Sequence, residues 1–218
     1  NLVVGSRLMT NPMAGIGIGI KSEKSELLFS ASFRHTSNGH FRVPNIGTNT
    51  IMGGLTWKYL MKEVPKIMAD TTYDAKHSWL SVGAGIGLHE IEGTLFPADG
   101  PLYKMQYLRM QMDRRLSMRH TIHFGGTVTI SEAAKRFIQN ENLFDGDVGN
   151  NHVKIILFVG HEFIIGHLGL YTDLGFNVSD PFRKELIKQG YIESGFMDTH
   201  FSNDLGFRYY LIDPVKKS

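Results

Sequence analysis

The feature that most constrains this chain is an alternation of apolar residues with glycine or polar residues, held over segments longer than an ordinary strand. In 12–20, Ala14, Ile16, Ile18 and Ile20 alternate with Gly15, Gly17 and Gly19. In 78–88, Leu80, Val82, Ala84, Ile86 and Leu88 alternate with Trp79, Ser81, Gly83, Gly85 and Gly87. A period of two belongs to β-strands, whose successive side chains point to opposite faces. The segments 118–130 and 168–178 repeat it, with Ile122, Phe124, Val128 and Ile130 against Thr121, His123, Thr127 and Thr129 in the first. Further strand-like runs cover 2–9, 26–36, 50–61, 102–114, 153–164 and 199–212. That makes about ten strands, several as long as the ~9–11 residues a tilted membrane-spanning strand requires. Strands in soluble sandwiches are usually shorter.

The connections alternate as well. Short links fall at 21–25, 115–117 and 165–167, and long ones at 37–49, 92–101, 131–151 and 179–198. Outer-membrane barrels have short periplasmic turns and long outer loops. The long link at 62–76 is an exception to this order, since it falls on the short-turn side. Helical turns are expected within 132–138 and 181–189. Aromatic residues near strand ends, among them Trp57, Tyr59, Trp79, Tyr209 and Tyr210, suit the girdles of such barrels. The expected fold is an all-β, antiparallel, up-and-down transmembrane β-barrel in which 1–218 form a single domain. A soluble sandwich or lipocalin-like barrel is the alternative that alternation alone allows.

Composition removes several classes. Lys and Arg total 23 against 21 Asp and Glu, so a net charge of +2 without a dense basic block gives no case for nucleic acid. There is no cysteine, hence neither a disulfide framework nor a thiolate metal site. The longest apolar runs fall far short of the ~20 residues of a membrane helix. The chain starts at Asn1 in a strand-like pattern without a signal-type leader, and reads as a mature or trimmed product.

The chemistry concentrates at the end of one strand. Leu27, Phe29, Ala31 and Phe33 share a parity with His35 and Ser37, so a general base and a hydroxyl nucleophile continue an apolar face. If that face meets lipid, the serine opens toward the boundary of hydrocarbon and headgroups, and its natural substrate is an acyl ester of a membrane lipid. His35 would take the serine proton during attack and return it to the leaving alcohol. Asn49 begins the returning strand, where a hairpin brings it back beside His35 and lets it orient the imidazole. Backbone amides near Asn38 and Gly39 adjoin the nucleophile and are candidate oxyanion donors. On spacing alone, Ser-Asn-Gly and Pro-Asn-x-Gly are also plain turn signatures.

The stretch His35-Thr36-Ser37-Asn38, followed by Pro44-Asn45-Ile46-Gly47-Thr48, resembles the motif of the lipid A deacylase (PagL) family, His-x-Ser-Asn followed by Pro-Asn-x-Gly-x-Glu. The resemblance covers about 30–59. It implies an outer-membrane barrel that removes an ester-linked acyl chain from lipid A or a related glycolipid within lipopolysaccharide. It also implies His35 as base, Ser37 as nucleophile, and Asn38 with neighbouring amides as oxyanion site. Where the family carries a triad glutamate, this chain has Asn49, which accepts a hydrogen bond from histidine but adds no charge. The motif also comes early here, with about 180 residues after it, as in a longer, divergent branch.

No cofactor is called for by this chemistry, the expected partner is a membrane lipid, and the expected location is the bacterial outer membrane. The rival expectation is a non-catalytic barrel serving as a small pore, lipid-binding protein or scaffold. The remaining motifs read as packing or lumen residues. His161, Glu162 and His167 lack the His-Glu-x-x-His spacing, and Gly15, Gly17 and Gly19 precede no helix. Asp145 and Asp147 are acids of a loop, of the kind that is usually solvated. The oligomeric state is not encoded in any pattern of the sequence.

Overall fold

The structure is a computed structural model that describes residues 13–36, 48–62, 77–89, 102–191 and 200–209. The expected strand at 2–9 and most of the long link at 62–76 lie outside these residues. Nine strands are described: β1 Met13–Lys21, β2 Ser25–Thr36, β3 Thr48–Lys62, β4 Ser78–His89, β5 Tyr103–Arg115, β6 His120–Ser131, β7 Val153–Ile165, β8 Leu168–Ser179 and β9 Phe201–Tyr209. They form one antiparallel sheet in sequence order, each strand bonded to the next. The sheet curls until Cα atoms of β1 and β9 come within 8 Å of each other. The all-β, up-and-down architecture expected from the alternation is therefore present.

Strand parity sorts the side chains as the sequence pattern requires. Ile16, Ile18, Phe29, Ile51, Trp57, Ile86, Leu108, Met110, Phe124, Leu157, Leu174 and Phe207 all stand exposed on the outer face. The inner face carries Ser81, Gly83, Thr121, His123, Glu162 and Asp173. A soluble sandwich or lipocalin has the opposite sense, apolar inside and polar outside. On β5 the outward series is Lys104, Gln106, Leu108, Met110, Met112 and Arg114. From Gln106 to Arg114 the strand covers about 27 Å at ~3.4 Å per residue. At the ~40° tilt usual for such barrels that is about 20 Å of height, close to the ~25 Å apolar band of outer-membrane barrels.

The compact apolar core lies at one rim, outside the sheet. The two long connections with described structure, those after β6 and β8, leave from the same end of the sheet, and both fold. Helix α1 (Glu132–Asn140) starts where the Ser131 hydroxyl accepts from the Ala134 amide at 3.2 Å. Helix α2 (Pro181–Lys188) starts where Asp180 accepts from the Arg183 amide at 3.1 Å, with proline in its first turn. Both are side-chain caps for amides that the helix leaves unpaired. Ala133, Ala134, Phe137 and Ile138 face inward on α1, and Leu186 does so on α2. With Leu143 from the short 3₁₀ turn Leu143–Gly146, the residues Phe137, Ile138 and Leu186 form the buried cluster, flanked by Phe144, Val148 and Phe182. The helical turns expected at 132–138 and 181–189 are thus the two halves of a rim cap.

Candidate active site at the long-loop end of β2 and β3

Strand β2 ends at Thr36 and β3 begins at Thr48, so the two are joined by 37–47 at the long-loop rim. In their ladder Phe33 faces Ile51, Arg34 faces Thr50, His35 faces Asn49 and Thr36 faces Thr48. His35 and Asn49 are therefore direct cross-strand partners, a relation that puts Cβ atoms about 4.5–5.5 Å apart. Positions 35 and 49 fall at the parity of Phe29 and Phe33 on β2 and of Ile51, Leu55 and Trp57 on β3, all of them exposed on the outer face. Asn49 is partly buried, and Thr50 beside it is buried. Ser37, Asn38 and Gly39 lie outside the described residues.

A second polar constellation occupies the barrel interior. Asp173 on β8 accepts from Arg109 Nη2 at 2.9 Å and pairs with His123 Nε2 at 2.5 Å. Arg109 also donates from Nε to Gln111 at 2.9 Å, and its guanidinium lies 3.8 Å over the Phe158 ring. Gln111 in turn donates to Asp113 at 2.6 Å, and the Ser81 hydroxyl donates to the other Asp113 oxygen at 3.1 Å. The chain of bonds crosses from β4 to β8. It passes over β7 at Gly160, which faces His123 on one side and Asp173 on the other. A Cβ at Gly160 would collide with both His123 Nε2 and Asp173 Oδ1. Glycine at this place lets β6 and β8 bond across the strand between them.

The histidines divide between the two faces. His123 belongs to the interior, whereas His120 and His161 share a hydrogen bond of 2.9 Å on the outer face beside Phe163. Glu162 points inward and is buried, and His167 lies in the turn between β7 and β8. Among the described residues no group of three or more His, Cys, Asp or Glu side chains is placed to hold a metal ion.

At the long-loop rim, Glu185 accepts from the Gln189 amide at 2.8 Å and from Lys188 at 3.2 Å. These donors, Gln189 first, hold its carboxyl below the ordinary glutamate value. Tyr191 donates its hydroxyl to Glu141 at 3.0 Å, which raises the phenol above its usual value and ties α2 to the end of α1. An open cleft of about 360 Å³ lies at the same rim between β5 and α1. No sequence motif announced either the interior network or this cleft, because their members are brought together by cross-strand register.

Fold and face polarity define a class: an antiparallel barrel-type sheet with an apolar exterior and a polar interior, in which positions 35 and 49 stand opposite each other in the ladder at the long-loop rim. Residues 1–59 match the family model described as Lipid A 3-O-deacylase (PagL), and over that span the chain is PagL-like. The match takes in β1, β2 and most of β3, and with them positions 35, 37, 38, 39 and 49. No curated protein and no solved structure matches the chain.

Proposed function

We propose that the protein is an outer-membrane serine esterase that removes an ester-linked acyl chain from lipid A or a related glycolipid. The observation that carries this reading is the His35–Asn49 cross-strand pair inside the segment matched by the deacylase model. The outer-face parity of that pair supports it, because a site opening outward at the rim meets the ester region of a bilayer.

In the proposed reaction, Ser37 Oγ attacks the ester carbonyl carbon while His35 takes the hydroxyl proton. Asn49 accepts from the imidazole and holds its ring for transfer. Amides at Asn38 and Gly39 receive the developing oxyanion, a contribution of about 3 kcal/mol for a single good donor. Collapse of the tetrahedral intermediate breaks the bond to the sugar oxygen, which leaves with the proton from His35. Water, deprotonated by the same imidazole, then releases the fatty acid from Ser37. No cofactor enters these steps.

Arg109, Asp173 and His123 bond to one another along the inner wall between β5 and β8. The rival is a non-catalytic barrel serving as a small pore, lipid-binding protein or scaffold. Mass spectrometry of lipid A incubated with the purified protein separates the two. Loss of one acyl chain with the native protein and none with Ser37→Ala is the expected result. An unchanged lipid, or equal loss with both proteins, removes the catalytic reading.

A further inference from the structure

The cleft between β5 and α1 is lined by Lys104, Gln106, Glu132, Lys135, Arg136 and His152 among others. Three side chains that are cationic at neutral pH face one carboxylate, so the cleft attracts an anion and repels a metal cation. Glu132 is 3.7 Å from Arg136, an exposed pair worth little in water and easily opened. His152 lines the cleft, and its Nδ1 is buried with no hydrogen-bond partner among the described residues. A buried ring nitrogen without a partner is costly, so a turn of the imidazole that carries its N–H to an anion in the cleft would relieve that cost.

The position of the cleft narrows the anion. Phe33 faces Ile51, Ile51 faces Leu88, and Leu88 faces Lys104, so one row across the outer face leads from β2 to the cleft. Phe33 lies two residues before His35, and three strand spacings of ~4.8 Å put Lys104 about 14 Å from β2. Lys104 and Gln106 are the outward residues of β5 that border its apolar series at the long-loop end. An anion held there lies at the headgroup level of the leaflet that the His35 site would meet.

We propose that this cleft binds a phosphate group of the glycolipid headgroup whose acyl ester is presented to the Ser37 site, with Lys104, Lys135, Arg136 and His152 as its donors. The proposal rests on the lipid-esterase reading and extends it to the part of the substrate that is not cleaved. Phosphate suits the site because several cations and a ring N–H can converge on its oxygens. Held at this distance, the headgroup fixes which acyl chains can reach β2. Contacts away from the reacting bond thereby contribute to orientation.

The test measures binding apart from turnover. The Ser37→Ala full chain in maltoside micelles is titrated with diphosphorylated lipid A, with the same lipid after phosphatase treatment, and with inorganic phosphate. Ser37→Ala binds the phosphorylated lipid more tightly than the dephosphorylated one. Adding Lys104→Gln and Arg136→Gln together weakens the phosphorylated lipid by at least about ten-fold and leaves the dephosphorylated lipid unchanged. Glu132→Gln shifts affinity the other way, tightening the phosphorylated lipid, which a misfolded variant does not do. Equal affinity for the two lipids, or an unchanged affinity in the double variant, overturns the proposal. Inorganic phosphate that binds as tightly as the lipid also overturns it, by assigning the cleft to a free anion. Because none of these titrations requires cleavage, failure of Ser37 catalysis and failure of the phosphate site give different results.

Discussion

The proposed mechanism gives His35 a neutral partner, so replacing that partner with a carboxylate is the most direct perturbation of the chemistry. The register places Asn49 directly opposite His35, and Asn49 is partly buried. In Asn49→Glu, a carboxylate about 4 Å from the imidazolium formed during attack interacts with it by about 4 kcal/mol at an effective dielectric of 20. Partial exposure and the cost of holding the side chain in place reduce this to about 2 kcal/mol. At ~1.4 kcal/mol per factor of ten, kcat should rise roughly 30-fold, well inside the ~10⁴-fold effect of exchanging carboxylate and amide in a serine triad. The assay is the initial rate of fatty-acid release from lipid A, followed by mass spectrometry across pH. The carboxylate also favours the protonated imidazole, which must lose its proton before it can act as base, so the acidic, rising limb of activity in the free enzyme should move to higher pH. A rate in Asn49→Glu equal to or below that of the native protein, with an unshifted pH profile, refutes the assignment of Asn49 as the residue that orients His35.

Two further predictions concern the scaffold. Asp173→Ala removes the acceptor of both Arg109 and His123, and should destabilise the folded barrel by about 3 kcal/mol; urea unfolding in lipid vesicles, read by the fluorescence of Trp57 and Trp79, measures it. The effect should be sub-additive with His123→Ala, and full additivity of the two would show that the pair is not coupled. Ile138, which is 0 % exposed, anchors the rim cap. Ile138→Ala should cost about 3 kcal/mol locally, seen as faster amide exchange in α1 and α2 with strand protection unchanged; equal protection in α1 would contradict the packing described.

Much of the barrel was legible because its signal is local. Ile16, Ile18 and Ile20 against Gly15, Gly17 and Gly19 declare two faces without reference to any other strand, and the sheet honours that parity. The strand expected at 153–164 runs to Ile165, and the one at 26–36 starts at Ser25, differences of a single residue at frayed ends. The run expected from Met118 starts instead at His120, because Arg115 donates to the Ser117 and Met118 carbonyls and those residues are used by the turn. The interior network was not legible: Arg109, His123 and Asp173 are far apart in sequence and meet only through register. The same holds for Lys104, Arg136 and His152 in the rim cleft. In the candidate active site the opposition of His35 and Asn49 could be anticipated from a hairpin, whereas Ser37, Asn38 and Gly39 remain readings of the motif.

Gly160 has a consequence for how the barrel is assembled. The outer face of β7 repeats Ile155, Leu157 and Val159, side chains so alike that, apart from the His120–His161 bond near one end, sliding the strand by two residues against its neighbours would cost that face little. A two-residue slip also preserves which side chains point inward, so parity offers no defence against it. The interior does. Of the inward positions Ile156, Phe158, Gly160, Glu162 and Ile164, only Gly160 leaves the gap through which His123 and Asp173 meet. Any slip drives Phe158 or Glu162 into that gap and severs the bond. The glycine works as a keyway and the histidine–carboxylate pair as its key, selecting one alignment among several that the greasy surface would accept.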